Sequence, residues 1–112
     1  MGNKRYIKGF LEDIVLHLID EHGQMYGYEL TKKVMHLTSG AIQITEGALY
    51  PILHKLENEQ KLSVEFKKAN GRIRKYYALT PEGGQTVRQS TSDLVSFFGG
   101  MQQLLNLKAA TK

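Results

Sequence analysis

A chain of 112 residues suffices for one small domain with an extra element appended, and its modest core would gain from pairing with a second copy. With 41% hydrophobic and 23% charged residues, it has no apolar run long enough for a bilayer and no opening that reads as a secretory leader, which argues against a membrane partner and makes the cytoplasm the expected compartment. Zero cysteines exclude a disulfide framework, a thiolate metal site and thiol catalysis, and the net charge of +4 leans toward a polyanionic partner.

Ile7, Phe10, Leu11, Ile14, Val15, Leu18 and Ile19 recur at three- and four-residue steps, predicting an amphipathic helix from about Ile7 to His22. Gly23 can end it in the left-handed conformation. A second short helix is expected from Tyr28 to about Leu37, opened by Tyr26-Gly27, closed by Thr38-Ser39-Gly40, and with Leu30, Val34 and Leu37 inward. After an extended piece, Ala41–Ile44, Thr45 suits the N-cap of a third helix reaching about Gln60. Ile44 and Leu49 fall at the two positions of a hydrophobic staple around that cap, and Leu49, Ile52, Leu53 and Leu56 form the buried stripe.

The period then shortens. Leu62, Val64 and Phe66 alternate with Ser63, Glu65 and Lys67, which reads as a half-buried strand. Ala69-Asn70-Gly71 carries the Asn-Gly hairpin signal, and Ile73 to Leu79 is the return strand, whose alternation favours Tyr77 over Tyr76 as the inward tyrosine. Charge concentrates here: Lys61–Thr80 holds six cations against Glu65 alone, the first eight residues add Lys4, Arg5 and Lys8, and the remainder is net negative. A charge run of this kind is either a solvated hairpin or a surface for a polyanion.

Thr80-Pro81-Glu82 opens a last helix with a hydroxyl cap, a proline at its first position and an acid in its first turn. Val87, Thr91, Leu94, Phe98, Met101 and Leu105 are spaced as a heptad seam, widened by Phe97 and Leu104, and between Gly83 and Leu107 only Arg88 and Asp93 are charged. Gly99-Gly100 either breaks this helix or lets two backbones approach closely. Lys108–Lys112 is expected to fray.

The order helix, helix, helix, strand, turn, strand, long helix predicts a mainly α fold with a small β-hairpin (α+β): a winged helix-turn-helix over residues 1–80 and a C-terminal dimerisation helix over 81–112. Three blocks of sequence point the same way. Tyr26-Gly27-Tyr28-Glu29-Leu30, the run Gly47-Ala48-Leu49-Tyr50-Pro51-Ile52-Leu53-His54-Lys55-Leu56-Glu57, and Gly71-Arg72-Ile73-Arg74-Lys75-Tyr76-Tyr77-Ala78-Leu79-Thr80 resemble the second helix, recognition helix and wing of the PadR-like transcriptional regulators. The single last helix is similar to that of the family's smaller subfamily. The resemblance implies a dimeric, ligand-responsive repressor. Three departures bear on affinity or sequence preference: Ala48 stands where the family has Ser or Thr, Gln60 where a Gly ends the recognition helix, and Ile73 where the wing has Pro or Arg.

A helix in the major groove presents its first turns to base edges, which nominates Thr45, Gly47, Ala48 and Tyr50, with Pro51, His54 and Lys55 a turn further on. Tyr50 is either a groove contact or a packing residue at the rim. Because Glu46, Glu57 and Glu59 make this helix net negative, affinity is expected from the wing, through Lys68, Arg72 and Arg74 ahead of Lys67 and Lys75, and from Lys4 and Arg5 on the DNA backbone. The expected partners are double-stranded DNA, a second copy, and a small apolar or aromatic effector, which the resemblance implies for a space beside the last helix. Phe97, Phe98 and Met101 either line that space or belong to the dimer core. His17, His22, His36 and His54 have no metal-ligand spacing, and no phosphate loop, nucleophile elbow or paired carboxylates occur, so no cofactor, metal or enzymatic activity is expected. Two other classes compete: a protein–protein adaptor on a winged helix, and a multidrug-binding sensor.

Overall fold

Apolar spacing places the helices of the computed structural model, which describes residues 4–107 and so leaves Lys108–Lys112 outside the described residues. The first predicted helix is divided: α1 (Lys4–Ile7) passes through a tight 3-10 turn at Lys8–Phe10 into α2 (Leu11–His22). The turn swings Phe10 onto Phe97 and Phe98 of the last helix, with ring centroids 6.2 and 5.6 Å away. Gly23 ends α2 at φ 80°, its N–H donating to the Ile19 carbonyl.

Met25–Tyr26 forms β1, a short strand the sequence reading did not anticipate, and α3 (Gly27–Leu37) follows it directly. The Glu29 carboxylate accepts from the Tyr26 N–H (3.1 Å) at the head of α3. Leu30 and Val34 are buried, but Leu37 is 61% exposed rather than inward, because α3 runs one turn past the core it packs on. The Thr38 hydroxyl donates to the Val34 carbonyl (2.8 Å) and its oxygen accepts from the Ile42 N–H (3.0 Å), tying down the loop that leads to α4 (Glu46–Asn58).

Helix α4 starts as expected. The Thr45 oxygen accepts from the Ala48 N–H, and Ile44 and Leu49 are both buried around that cap. Leu49, Leu53 and Leu56 are the inward stripe, and each such side chain contributes about 1.5–3 kcal/mol on burial. Ile52 sits at the margin of the core. Beyond the end of α4, Gln60 takes the left-handed conformation at φ 63° that glycine adopts more cheaply.

Strands β2 (Leu62–Ala69) and β3 (Arg72–Leu79) pair antiparallel across a two-residue turn, Asn70-Gly71, both at positive φ (53° and 75°). The sheet has three strands, in the order β1-β3-β2, rather than the two of a bare hairpin. Tyr77 pairs with Met25 on one side and Val64 on the other, and is the largest fully buried side chain. The inward alternation of β2 fails at Phe66, which is exposed because the hairpin outruns the helices beneath it.

Thr80 joins the end of α4 to the start of α5 (Pro81–Leu105): its N–H donates to the Lys61 carbonyl (3.1 Å), its hydroxyl to the Gln60 carbonyl (2.6 Å), and its oxygen accepts from the Gly83 N–H (3.0 Å). Gly83 and Val87 are buried, so the first turns of α5 belong to the same core as α2. The helix continues unbroken through Gly99-Gly100 to a left-handed cap at Asn106. Its far half projects, which lifts the radius of gyration to 15.3 Å, against about 13 Å for a compact chain this long.

The packing predicts opposite outcomes for two adjacent glycines. A Cβ at Gly83 would fall on the Lys61 carbonyl, whereas one at Gly84 meets nothing closer than the end of the Arg88 side chain at 3.7 Å. Urea denaturation should show Gly84→Ala stabilised by up to about 1 kcal/mol through helix propensity and Gly83→Ala destabilised despite the same gain.

Candidate nucleic-acid interface

The first turns of α4 present a continuous exposed face. Thr45, Gly47, Ala48, Tyr50, Pro51, His54 and Lys55 all lie on the solvent side, while Leu49, Leu53 and Leu56 hold the opposite side in the core. Nothing approaches the Gly47 Cα, and Pro51 donates no hydrogen bond back to the Gly47 carbonyl, so the backbone there is open to a ligand. The Thr45 oxygen is engaged in capping, which leaves its hydroxyl proton for a partner.

Tyr50 packs at the rim of the core. Its phenol crosses Gly27 at the head of α3 so closely that a Cβ at that glycine would overlap it, yet the side chain keeps an exposed edge. Burial, then Glu46 and Tyr77, hold its hydroxyl protonated above the ordinary tyrosine range. Gly27 is therefore the complement of Tyr50, a relation that only the fold reveals.

Apart from Glu46 in its first turn, the acids of α4 and its cap lie at the far end of the helix and are met by cations. Glu57 is met by Lys75 (3.5 Å), and Glu59 by Lys55 (3.3 Å) and Lys61 (3.5 Å). Lys55 also bridges to Glu12 on α2; its bonds to Glu12 and Glu59 raise its pKa, and Lys55 lowers that of Glu59. Lys55 is thus held between two carboxylates, where the sequence alone suggested a phosphate contact. Lys75 is likewise engaged: desolvation disfavours its charge, but Tyr77 and Glu57 outweigh it and leave the pKa raised.

The wing divides its cations by face. Arg74 stacks over the Tyr26 ring (4.4 Å), and Lys67 lies over Tyr76 (4.8 Å) while donating to Gln24 Oε1 (2.6 Å). Lys68 and Arg72 flank the turn, exposed, and among the described residues neither side chain has an ion pair or hydrogen-bond partner. Lys4 lies in a groove with Lys8, Ile44, Ala48 and Pro51 beside the start of α4, and Arg5 packs over Tyr6 (4.9 Å).

A second feature lies on the far side of α2. A cavity of about 570 Å³ is walled by Tyr6, Ile7, Phe10, Ile14, Ala41, Ile42, Leu94 and Phe98, with Asp13 and His17 at its polar edge. Ser90 of α5 donates to Asp13 (2.5 Å), and its oxygen lies 3.4 Å from His17 Nε2. Of the three residues proposed for such a space, Phe98 lines it, whereas Phe97 and Met101 do not; the Phe97 ring meets that of Phe98 at a tilt, with centroids 5.8 Å apart. Most of the lining comes from α1, α2 and the α3–α4 loop, and no sequence period could have joined those segments. Of the proposed seam, Val87 is buried within the protomer, the exposed Thr91 donates its hydroxyl to the Val87 carbonyl, and Leu94 and Phe98 face the cavity, leaving Met101 and Leu105, joined by exposed Val95 and Leu104, on the projecting half.

The family profile of the PadR-like transcriptional regulators matches residues 15–89. A transcriptional regulator from Clostridium thermocellum is 27% identical, with 88% of this chain and 93% of that one covered at a TM-score of 0.79. A PadR-like regulator from Bacillus cereus is also 27% identical, over 93% and 99% of the two chains, at 0.78. Bacillus subtilis PadR, solved in complex with operator DNA, shares the fold at 23% identity and a TM-score of 0.64, over 72% of this chain and 46% of its own.

A folded-state phenol held protonated binds its proton more tightly than the unfolded one, so stability falls as pH rises from the ordinary value of 10.0 through the raised one. Near-ultraviolet titration of the native chain minus Tyr50→Phe should give a midpoint above 10.0, and the variant should lose less stability across that window.

Proposed function

The chain belongs to the PadR-like family of transcriptional regulators, and from that premise we propose that it is a cytoplasmic, homodimeric repressor that reads a pseudo-palindromic operator in double-stranded DNA and releases it on binding a small apolar or aromatic effector. The observation that carries DNA reading is the pairing of an exposed, small-residue face on α4 with unpartnered Lys68 and Arg72 at the wing. Neutralisation of Glu57 and Glu59 removes the main objection to an acidic recognition helix, leaving Glu46 as the acid near its tip. The operator-bound Bacillus subtilis relative supports the same mode of use.

Residues 4–80 would be the reading head and α5 the dimerisation element. The uncharged projecting half of α5, with Val95, Phe97, Leu104 and Leu105 exposed, is better suited to a second copy than to water. Symmetric pairing there would hold two α4 helices near one DNA turn apart. The cavity between α2 and α5 supports effector sensing: a ligand that displaces Phe98 or Leu94 shifts α5 against α2 and thereby changes that spacing. The same cavity is what favours ligand capture as the chain's main activity, as a second reading.

Fluorescence anisotropy on a labelled duplex from upstream of the chain's own coding region, beside a scrambled duplex, tests this directly. Preferred binding to the first, weakening steeply with salt, is expected. Arg72→Gln should weaken binding to both duplexes and lower the salt slope by about one unit. Salt-independent or absent binding to both would favour the adaptor class instead.

A further inference from the structure

Register across the wing sorts its residues into two faces. One carries Lys67, Arg72 and Arg74; the other begins on the core with Leu62 and Tyr77 and runs outward to the turn. On that second face Phe66 stands opposite Lys75 and Lys68 opposite Ile73, so apolar and cationic residues alternate as a checkerboard. Phe66 is 66% exposed and Ile73 is 73% exposed. Two large apolar side chains at the end of a hairpin therefore stand clear of the core, with most of their surface in solvent.

The charge around them selects the occupant. Five cations and no acid lie between Lys67 and Lys75, so a second copy of the hairpin is repelled. Resting on the DNA-binding reading above, in which the wing of a winged helix lies at the minor groove, we propose that Phe66 and Ile73 are apolar DNA contacts there: their side chains pack against deoxyribose edges while Lys68 and Arg72 meet the flanking phosphates. Apolar wedges in the minor groove are an established way to bind without reading base-edge donors and acceptors. A two-residue turn with strands about 4.8 Å apart gives a tip narrow enough to engage a groove about 6 Å wide that opens on binding. Ile73, one pair in from the Ala69–Arg72 pair that closes the turn, would enter more deeply than Phe66, which stands two pairs further back and would seat against the groove wall.

The test uses the full chain, the labelled upstream duplex, a salt series and netropsin as a minor-groove blocker. Ile73→Ser and Phe66→Ser should each weaken binding about tenfold with the salt slope unchanged, because an apolar contact releases no counterions. Lys68→Gln should lower the slope by about one unit. Netropsin should weaken the native chain and have little further effect on the double serine variant. Ile73→Lys separates the alternatives where a serine variant unfolds: on a wing that acts through charge alone it tightens binding and steepens the slope, and on the proposed wing it weakens binding. Native-like binding by the serine variants, or tighter binding by Ile73→Lys, would overturn the apolar contact while leaving DNA reading intact. Failure of the native chain to bind would overturn both.

Discussion

Burial of Tyr77 is the constraint on which the rest of the molecule depends. It sits on the central strand, paired to Met25 and Val64, and closes the space between the sheet and the helices. Because strand neighbours face opposite sides, fixing Tyr77 inward fixes every other side chain of the wing. Arg72, Arg74 and Tyr76 must go to one face, Ile73 and Lys75 to the other. A slip of one residue would bury Tyr76, carry Arg74 toward the core and turn Ile73 to the opposite face. The packing that stabilises the fold and the arrangement of cations that suits it to a polyanion are consequences of one register.

Electrostatics then separates a paired region from an unpaired one. Lys55, Lys61 and Lys75 meet Glu12, Glu57 and Glu59 at the junction of α2, the end of α4 and the base of the sheet. These pairs are largely exposed and individually worth little in stability. Their consequence is to cancel acid charge that would otherwise repel phosphate and to leave free cations at the wing turn. Net charge alone understates how well the surface suits a nucleic acid, because the useful cations are those left without carboxylates.

Local chemistry was legible where one residue or one period decides the outcome. Thr45 and Thr80 cap α4 and α5, Asn70-Gly71 makes the hairpin turn, Gln60 takes the left-handed position after α4, and alternation pointed to Tyr77. What escaped the sequence depends on segments far apart in the chain. Met25–Tyr26 is too short to show a period and becomes a strand only because β3 offers an edge. Leu37 and Phe66 fit their patterns and are exposed because the core stops short of them. Lys55 could not be assigned to Glu12 without knowing that α2 and α4 lie side by side, and the cavity needs three separate stretches of chain. Membership of the PadR-like family was carried by three local motifs, whereas the division of α5 between protomer core and a projecting apolar half was not visible in its heptad.

That division makes α5 the element through which reading and sensing would be coupled. Its first turns are locked to α4 through Thr80, its middle borders the cavity, and its end is bare apolar surface. Hydroxyl-radical footprinting of the chain on the DNA upstream of its own coding region tests the paired reader most directly. Two symmetric protected half-sites with centres about one helical turn apart, each flanked by minor-groove protection from a wing, are predicted. A single half-site, or protection without symmetry, would contradict it.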